Sequence, residues 1–166
     1  MRDPEVRLLE ERACVAVRLT RPMAGIDVGA LVGAHLESLA VRTVDLGLMI
    51  AGPPYVRYQQ WGGALAVLEL GFPTGPEPPA TKLQSLDDAD DGEPGRAMLP
   101  GGRALVVEHR GPYSSLSETW ARASAWIDEH DVCAGGAPWE SYVDNPERVA
   151  PEQLLTEVVW PLIGEN

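Results

Sequence analysis

Short apolar runs and one helical periodicity recur twice along the chain, in the same order. Arg12-Ala13-Cys14-Val15-Ala16-Val17 and Arg103-Ala104-Leu105-Val106-Val107 are β-branched stretches that predict strands. Each is followed by a segment with helical spacing. The first, from about Asp27 to Val41, sets Val28, Leu31, Val32, His35 and Leu39 on one face. It also holds Gly29 and Gly33, each costing about 1 kcal/mol relative to alanine, so it is predicted to be the looser helix. In the second, Ser115-Leu116-Ser117-Glu118 has the pattern of a capping box, and Leu116, Trp120, Ala123 and Ile127 form the apolar stripe.

The match continues past the helices. Gly52-Pro53-Pro54-Tyr55-Val56-Arg57-Tyr58 corresponds to Gly136-Ala137-Pro138-Trp139-Glu140-Ser141-Tyr142, a turn that feeds a strand with an aromatic and then a tyrosine. Glu69-Leu70-Gly71-Phe72-Pro73 corresponds to Glu157-Val158-Val159-Trp160-Pro161, a carboxylate inside an apolar strand that ends on proline. Collinear matches of this kind indicate an internal duplication. The predicted fold is α+β: two strand-helix-strand-strand modules forming an antiparallel sheet with two helices and a central cleft lined by equivalent positions. Module one spans about 5–74 and module two about 95–163 of a single domain, 1–166. Between them, the proline-, glycine- and acid-rich stretch at about 75–94 is predicted to be a linker or surface loop.

Composition narrows the function classes. Thirteen basic against 25 acidic residues give a formal charge of −12, which disfavours nucleic acid and anionic lipid and favours cationic partners. No apolar run approaches the length of a membrane span and the N-terminus lacks a signal-like apolar stretch, so a stand-alone cytoplasmic protein, monomer or homodimer, is expected. Cys14 and Cys133 are far apart in sequence, with no CxxC neighbour, and are expected to be two buried, reduced thiols. Signatures for nucleophile elbows, phosphate loops, dinucleotide folds and zinc proteases are absent, so no cofactor and no metal are expected.

What remains is a set of carboxylates and aromatics. Glu157 interrupts an otherwise apolar strand, where an uncompensated charge is expensive. It calls for a ligand cation, for an arginine from the other module, or for a position at a solvated edge. Its repeat mate Glu69, near Gly71, is expected to be exposed or paired. Glu140 and Tyr142 lie two apart and share a strand face, with Trp139 on the other. Such a pair can hold a cation, can serve as base and proton donor, or can be a plain surface pair. Tyr55, Tyr58, Trp61, Trp139, Tyr142 and Trp160 fall within the repeated strand pairs, where their faces could stack on a planar ligand. Tyr113 and Trp120 are further candidate ligand contacts, although tryptophans on the helix such as Trp120 and Trp126 are more often core. His109 at the strand-to-helix corner suits a structural role in the turn, there being no fixed nucleophile for it to serve.

Leu99-Pro100-Gly101-Gly102-Arg103-Ala104, Glu108-His109-Arg110-Gly111-Pro112-Tyr113, Trp139-Glu140-Ser141-Tyr142-Val143-Asp144-Asn145-Pro146 and the stretch Pro151 to Pro161 together resemble the GyrI-like (gyrase-inhibitor-like) effector-binding domain. The resemblance is direct in the second half and carried by the repeat in the first. It implies a duplicated fold whose cleft holds hydrophobic, often cationic, aromatic compounds against a buried glutamate and aromatic walls. That role falls on Glu140, Glu157, Tyr142 and Trp139. Relatives serve as drug-sensing domains of helix-turn-helix regulators or stand alone, and some stand-alone relatives hydrolyse cyclopropane-bearing DNA-alkylating natural products. No DNA-binding domain is expected here.

Three functions follow as expectations. The first is binding of a hydrophobic, planar, cationic small molecule for drug or toxin sensing or sequestration, with Glu140, Tyr142, Glu157, Trp139, Tyr55, Trp61, Trp120 and Tyr113 as ligand contacts. The second is a cyclopropanoid hydrolase, in which Glu140 or Glu157 positions or deprotonates water and Tyr142 donates a hydrogen bond. The third is a protein inhibitor of the gyrase-inhibitor type.

Overall fold

The protein is described by a computed structural model, which covers residues 2–75 and 83–164. In chain order the elements are β1 (Glu5–Leu9), β2 (Arg12–Pro22), α1 (Val28–Asp45), β3 (Tyr55–Gln60), β4 (Leu65–Pro73), β5 (Pro94–Leu99), β6 (Gly102–Arg110), α2 (Leu116–Glu129), β7 (Cys133–Ala134), β8 (Trp139–Tyr142) and β9 (Leu155–Ile163). The architecture is α+β, with antiparallel strand ladders and two α-helices among the described residues. Part of the expected linker, residues 76–82, lies outside the described residues. The rest forms a short 3-10 turn, Leu86–Asp88, and leads into β5.

The chain divides into two compact units, one of residues 11–100 and one of residues 1–10 with 101–166. In the first, the strand order is β3-β4-β2-β5, and α1 packs on β4 and β2. In the second it is β1-β6-β9-β8, with β7 paired to the end of β9. The elements β2-α1-β3-β4 and β6-α2-β8-β9 are the predicted repeat. Each repeat is completed by a strand from outside it. β1 directly precedes β2 in sequence but pairs with β6, whereas β5 directly precedes β6 but pairs with β2. The two repeats thus trade edge strands, a feature the repeat pattern does not reveal.

In the second unit the core forms between α2 and one sheet face. Leu105, Val107 and Val158 meet Leu116, Ala123 and Ile127, with Trp120, Trp126, Tyr142 and Trp160 packed around them. This is the predicted apolar stripe. The capping box does not form: the Ser115 hydroxyl donates to the Pro112 carbonyl at 2.9 Å and makes no cap bond. Tyr113–Ser115 instead wind into a 3-10 turn before the helix begins. On α1, Asp27 supplies the N-cap, accepting from the Ala30 amide at 3.0 Å. Of its 18 residues only Leu39 and Thr43 are buried, and the predicted face of Val28, Leu31, Val32 and His35 is half-buried.

Two glycines of the first unit are required by close approach. A Cβ on Gly71 would lie 2.5 Å from the Val15 carbonyl and 2.9 Å from the Tyr55 hydroxyl. A Cβ on Gly95 would lie 2.4 Å from Leu86 Cα, so Gly95 lets the 3-10 turn settle against the sheet. Replacing Gly71 by alanine is expected to lower unfolding stability by about 1–3 kcal/mol, read from the denaturant midpoint, because the neighbours are backbone and a buried ring with nowhere to go.

Candidate functional site

Strand register sorts the candidate acids of the second unit onto two faces. Glu140 stands opposite Val158, and Val158 opposite Val107, so Glu140 shares the α2-covered face. Tyr142, Thr156 and His109 form the next row of that face, and Trp160 lies farther along it. Glu157 is opposite Ser141 and Glu108, on the other face. The two acids therefore cannot act on one group together.

Glu140 is the buried one, at 4 % exposure. The Trp120 indole N–H donates to Oε1 at 2.6 Å and the Tyr142 hydroxyl donates to Oε2 at 2.6 Å. Both donors are neutral, and among the described residues no ion pair reaches Glu140. Rings surround the pair: Tyr113 packs edge-on against Tyr142 with centroids 5.3 Å apart, and Trp160 against Trp120 at 5.6 Å. Burial, then Asp144 and Glu140, raise the Tyr113 phenol above its ordinary 10.0, so it stays protonated beside these acids. Tyr113 is nonetheless 39 % exposed, which gives the cluster an edge on solvent.

Of its alternatives, Glu157 takes the arginine. Arg7 of β1 donates to it at 2.7 Å and lies 3.7 Å from Glu108, which also receives Arg2 at 3.1 Å. Directly opposed carboxylates on β6 and β9 repel each other, and these arginines offset that repulsion. Trp139 is buried on the same face as Glu157, turned away from Glu140. Tyr55 and Trp61 belong to the first unit. Trp61 is half exposed and edge-on to Tyr58 at 5.4 Å, while Tyr55 is fully buried.

Of the two alternatives for Glu69, exposed or paired, the structure takes pairing, and it buries the carboxylate as well. Glu69 is 3 % exposed, with the Tyr55 hydroxyl on Oε1 at 2.7 Å and the Gln59 amide on Oε2 at 2.9 Å. The Gly71 that suggested an open strand instead makes room for the Tyr55 hydroxyl next to this carboxylate. Cys14 is buried as expected, but Cys133 is exposed on the short β7.

His109 is structural. Its Nε2 lies 3.0 Å from the Pro112 carbonyl and its Nδ1 2.8 Å from the Thr119 hydroxyl. The carbonyl only accepts, so the network assigns the proton to Nε2, and Thr119 donates to Nδ1. Two features escape sequence reading. Trp120 packs against the core as expected of a helix tryptophan, but its N–H also donates to Glu140; a buried indole seeks an acceptor, while nothing in the sequence says which one. Thr156, opposite Tyr142, is fully buried and its hydroxyl has no partner among the described residues, which nothing in a Thr-Glu dipeptide foretells. No cluster of three His, Cys, Asp or Glu side chains among the described residues could hold a metal ion.

Comparison with known proteins agrees with this architecture. Residues 77–163, just over half of the chain, match the GyrI-like small molecule binding domain, and the chain belongs to that family. No curated protein matches. Among solved structures, the EcmrR C-terminal domain aligns with TM-score 0.79 at 16 % identity, over 98 % of each chain. The same TM-score and identity hold for EcmrR in its DNA complex, of which this chain spans 58 %. SAV2435 bound to tetraphenylphosphonium aligns with TM-score 0.62 at 16 % identity, over 98 % of this chain and 95 % of that one. A hydrolase from Listeria innocua aligns at 0.61 and 16 %, over 98 % and 92 %. At these identities the structural likeness shows the fold alone. No described helix is long and apolar enough to cross a membrane.

The buried network in the first unit has a consequence at high pH. Burial pushes the Cys14 thiol from its ordinary 9.0 to about 11, and burial with Glu69 beside it pushes Tyr55 well above 10.0. The folded state holds both protons more tightly than the unfolded chain. Their contribution to stability is complete below the ordinary thiol value and is lost as pH rises toward the folded-state values. The urea midpoint is expected to fall between about pH 9 and pH 11, and Cys14→Ala should flatten that slope; a midpoint as steep in the variant would exclude Cys14 as a cause.

Proposed function

We propose that the chain binds hydrophobic, aromatic cations at the Glu140–Tyr142–Trp120 cluster, as a sensing or sequestering protein. The observation that carries this reading is a carboxylate at 4 % exposure held by two neutral donors, with no counter-cation among the described residues. A desolvated charge in that state is costly, and a cation brought against the surrounding ring faces would offset the cost and gain about 0.5–2 kcal/mol per ring contact. Membership in a small-molecule binding family supports it, as does the tetraphenylphosphonium carried by SAV2435. Glu157 stands outside this role because it lies on the other sheet face and already pairs with Arg7. Titrating tetraphenylphosphonium against tryptophan fluorescence tests the idea. Glu140→Gln should weaken the cation about tenfold or more while changing a neutral aromatic of similar size by less than about threefold. Equal loss for both would reject the electrostatic role.

A second reading, hydrolysis of a strained electrophile, has its own support in the 2.6 Å Tyr142–Glu140 hydrogen bond and in the neighbour named as a hydrolase. Glu140 would take a proton from water as the new C–O bond forms and the strained ring C–C bond breaks; the released electron pair would move onto a conjugated carbonyl oxygen, to which Tyr142 would donate, and the proton held by Glu140 would finally return to the ring-opened carbon. Incubation with an activated cyclopropane, followed by mass spectrometry, should then show product carrying one added water in excess of protein, lost in Tyr142→Phe. Stoichiometric recovery of unchanged compound would leave binding as the function.

A further inference from the structure

Helix α1 packs on β4 and β2 with Leu39 and Thr43 buried, and its opposite side carries an apolar line in the open. Ala30, Ala34, Glu37, Val41 and Val44 are all exposed, Val41 at 59 % and Val44 at 64 %. Their spacing of four, three, four and three residues is that of a coiled-coil seam, and Glu37 is its single charge. Ser38 and Asp45 edge the line. The repeat-equivalent helix differs: on α2 no exposed residue is both apolar and larger than alanine. The duplicated fold therefore does not itself require such a face. Two glycines stand beside the line. A Cβ on Gly33 would meet nothing within 4 Å, and one on Gly29 only the Asp27 carboxylate, at 3.5 Å. Both cost helix stability, and no close approach inside the chain calls for either.

Side-chain size divides this face into two halves. The N-terminal half is small (Gly29, Ala30, Gly33, Ala34) and the C-terminal half is branched (Val41, Val44). A face of this kind complements itself in one direction only. Set antiparallel to a second α1, with seam residues in facing layers, it puts Ala34 against the partner's Val44 and Glu37 against the partner's Val41, and the symmetry axis repeats both contacts. The partner's Arg42 is next in sequence to the residue that faces Glu37. Glu37 has no ion pair among the described residues, while Arg42 makes one Nη2 bond to Glu93, at 2.8 Å in an exposed pair. Parallel pairing would instead stack glutamate on glutamate and alanine on alanine.

We infer that the outer face of α1 is a homodimer interface, on which a second copy of this chain docks its own α1 antiparallel, small half against branched half. A lipid surface suits the face less well, since a formal charge of −12 repels anionic headgroups. A helix pair of about five turns covers an area at the low end of specific interfaces, so a Kd on the order of 10 µM is expected. The interface is independent of the Glu140 cluster, and Glu140→Gln should leave association unchanged.

Sedimentation equilibrium on the full chain, from about 1 to 200 µM, is expected to show the mass rising from monomer toward dimer. Val44→Glu should raise Kd about tenfold or more, with the urea midpoint of dilute protein unchanged because that side chain is exposed in the monomer. Ala34→Val and Val44→Ala should each weaken association severalfold, the first by crowding the facing valine and the second by leaving a gap. The double variant should restore it to within about twofold. A monomer mass throughout overturns the inference, as does a dimer indifferent to Val44→Glu. Tightening by Ala34→Val, the outcome of parallel pairing, overturns the antiparallel arrangement, and so does a double variant no better than the single ones. Binding of the monomer to phosphatidylcholine vesicles, lost in Val44→Glu, would give the face to a lipid surface and likewise overturn it.

Discussion

A carboxylate out of contact with water must be repaid locally, and the chemistry of the second unit follows from how Glu140 is repaid. Its oxygens accept from an indole N–H on α2 and from a phenol on its own strand, groups that bring hydrogen bonds without charge. An arginine at either place would have made a salt bridge instead, as Arg7 does with Glu157. The Trp120 bond also ties the helix to the strand, so the groups that line the cluster are those that hold α2 in place. Packing of Trp160 on Trp120 and of Tyr113 on Tyr142 then fixes the rings that hold the two donors.

Glu157 shows the contrasting solution. It and Glu108 sit directly opposite each other, and both are approached by Arg7 from β1. Arg7 falls within the 5–74 stretch expected as module one, so an arginine from the other module is what Glu157 finds, although the repeat alone does not say which arginine it is. Strand alternation, applied to β9 alone, was enough to see that Thr156 and Glu157 face opposite ways; deciding which face lies under α2 required the register with β6 and β8. The Glu140–Tyr142 pair was legible because two-residue spacing in a strand is a geometric fact. The donation from Trp120 was not, because it depends on the angle at which α2 crosses the sheet.

The duplication was the most legible part of the fold, and it also misled. Equivalence by repeat couples Glu69 with Glu157, whereas burial couples Glu69 with Glu140, on strands that are not equivalent. The cause lies in small residues. Gly71 admits the Tyr55 hydroxyl and Gly95 admits the 3-10 turn, so the face around Glu69 is covered, while the corresponding strand in the second unit carries Val159 where Gly71 would be. Ancestry preserved the backbone plan and divergence reassigned the polar interior.

The traded edge strands bear on how the chain acquires its structure during synthesis. Residues 11–100 contain every strand of their unit, so that part can close as soon as residue 100 is clear of the ribosome. β1 is in the reverse position: its ladder partner β6 follows it by about ninety residues, so its pairing has to wait for that later stretch. Charged residues at Glu5 and Arg7 suit that interval, since they discourage a nascent strand from pairing with a neighbouring chain before its proper partner exists.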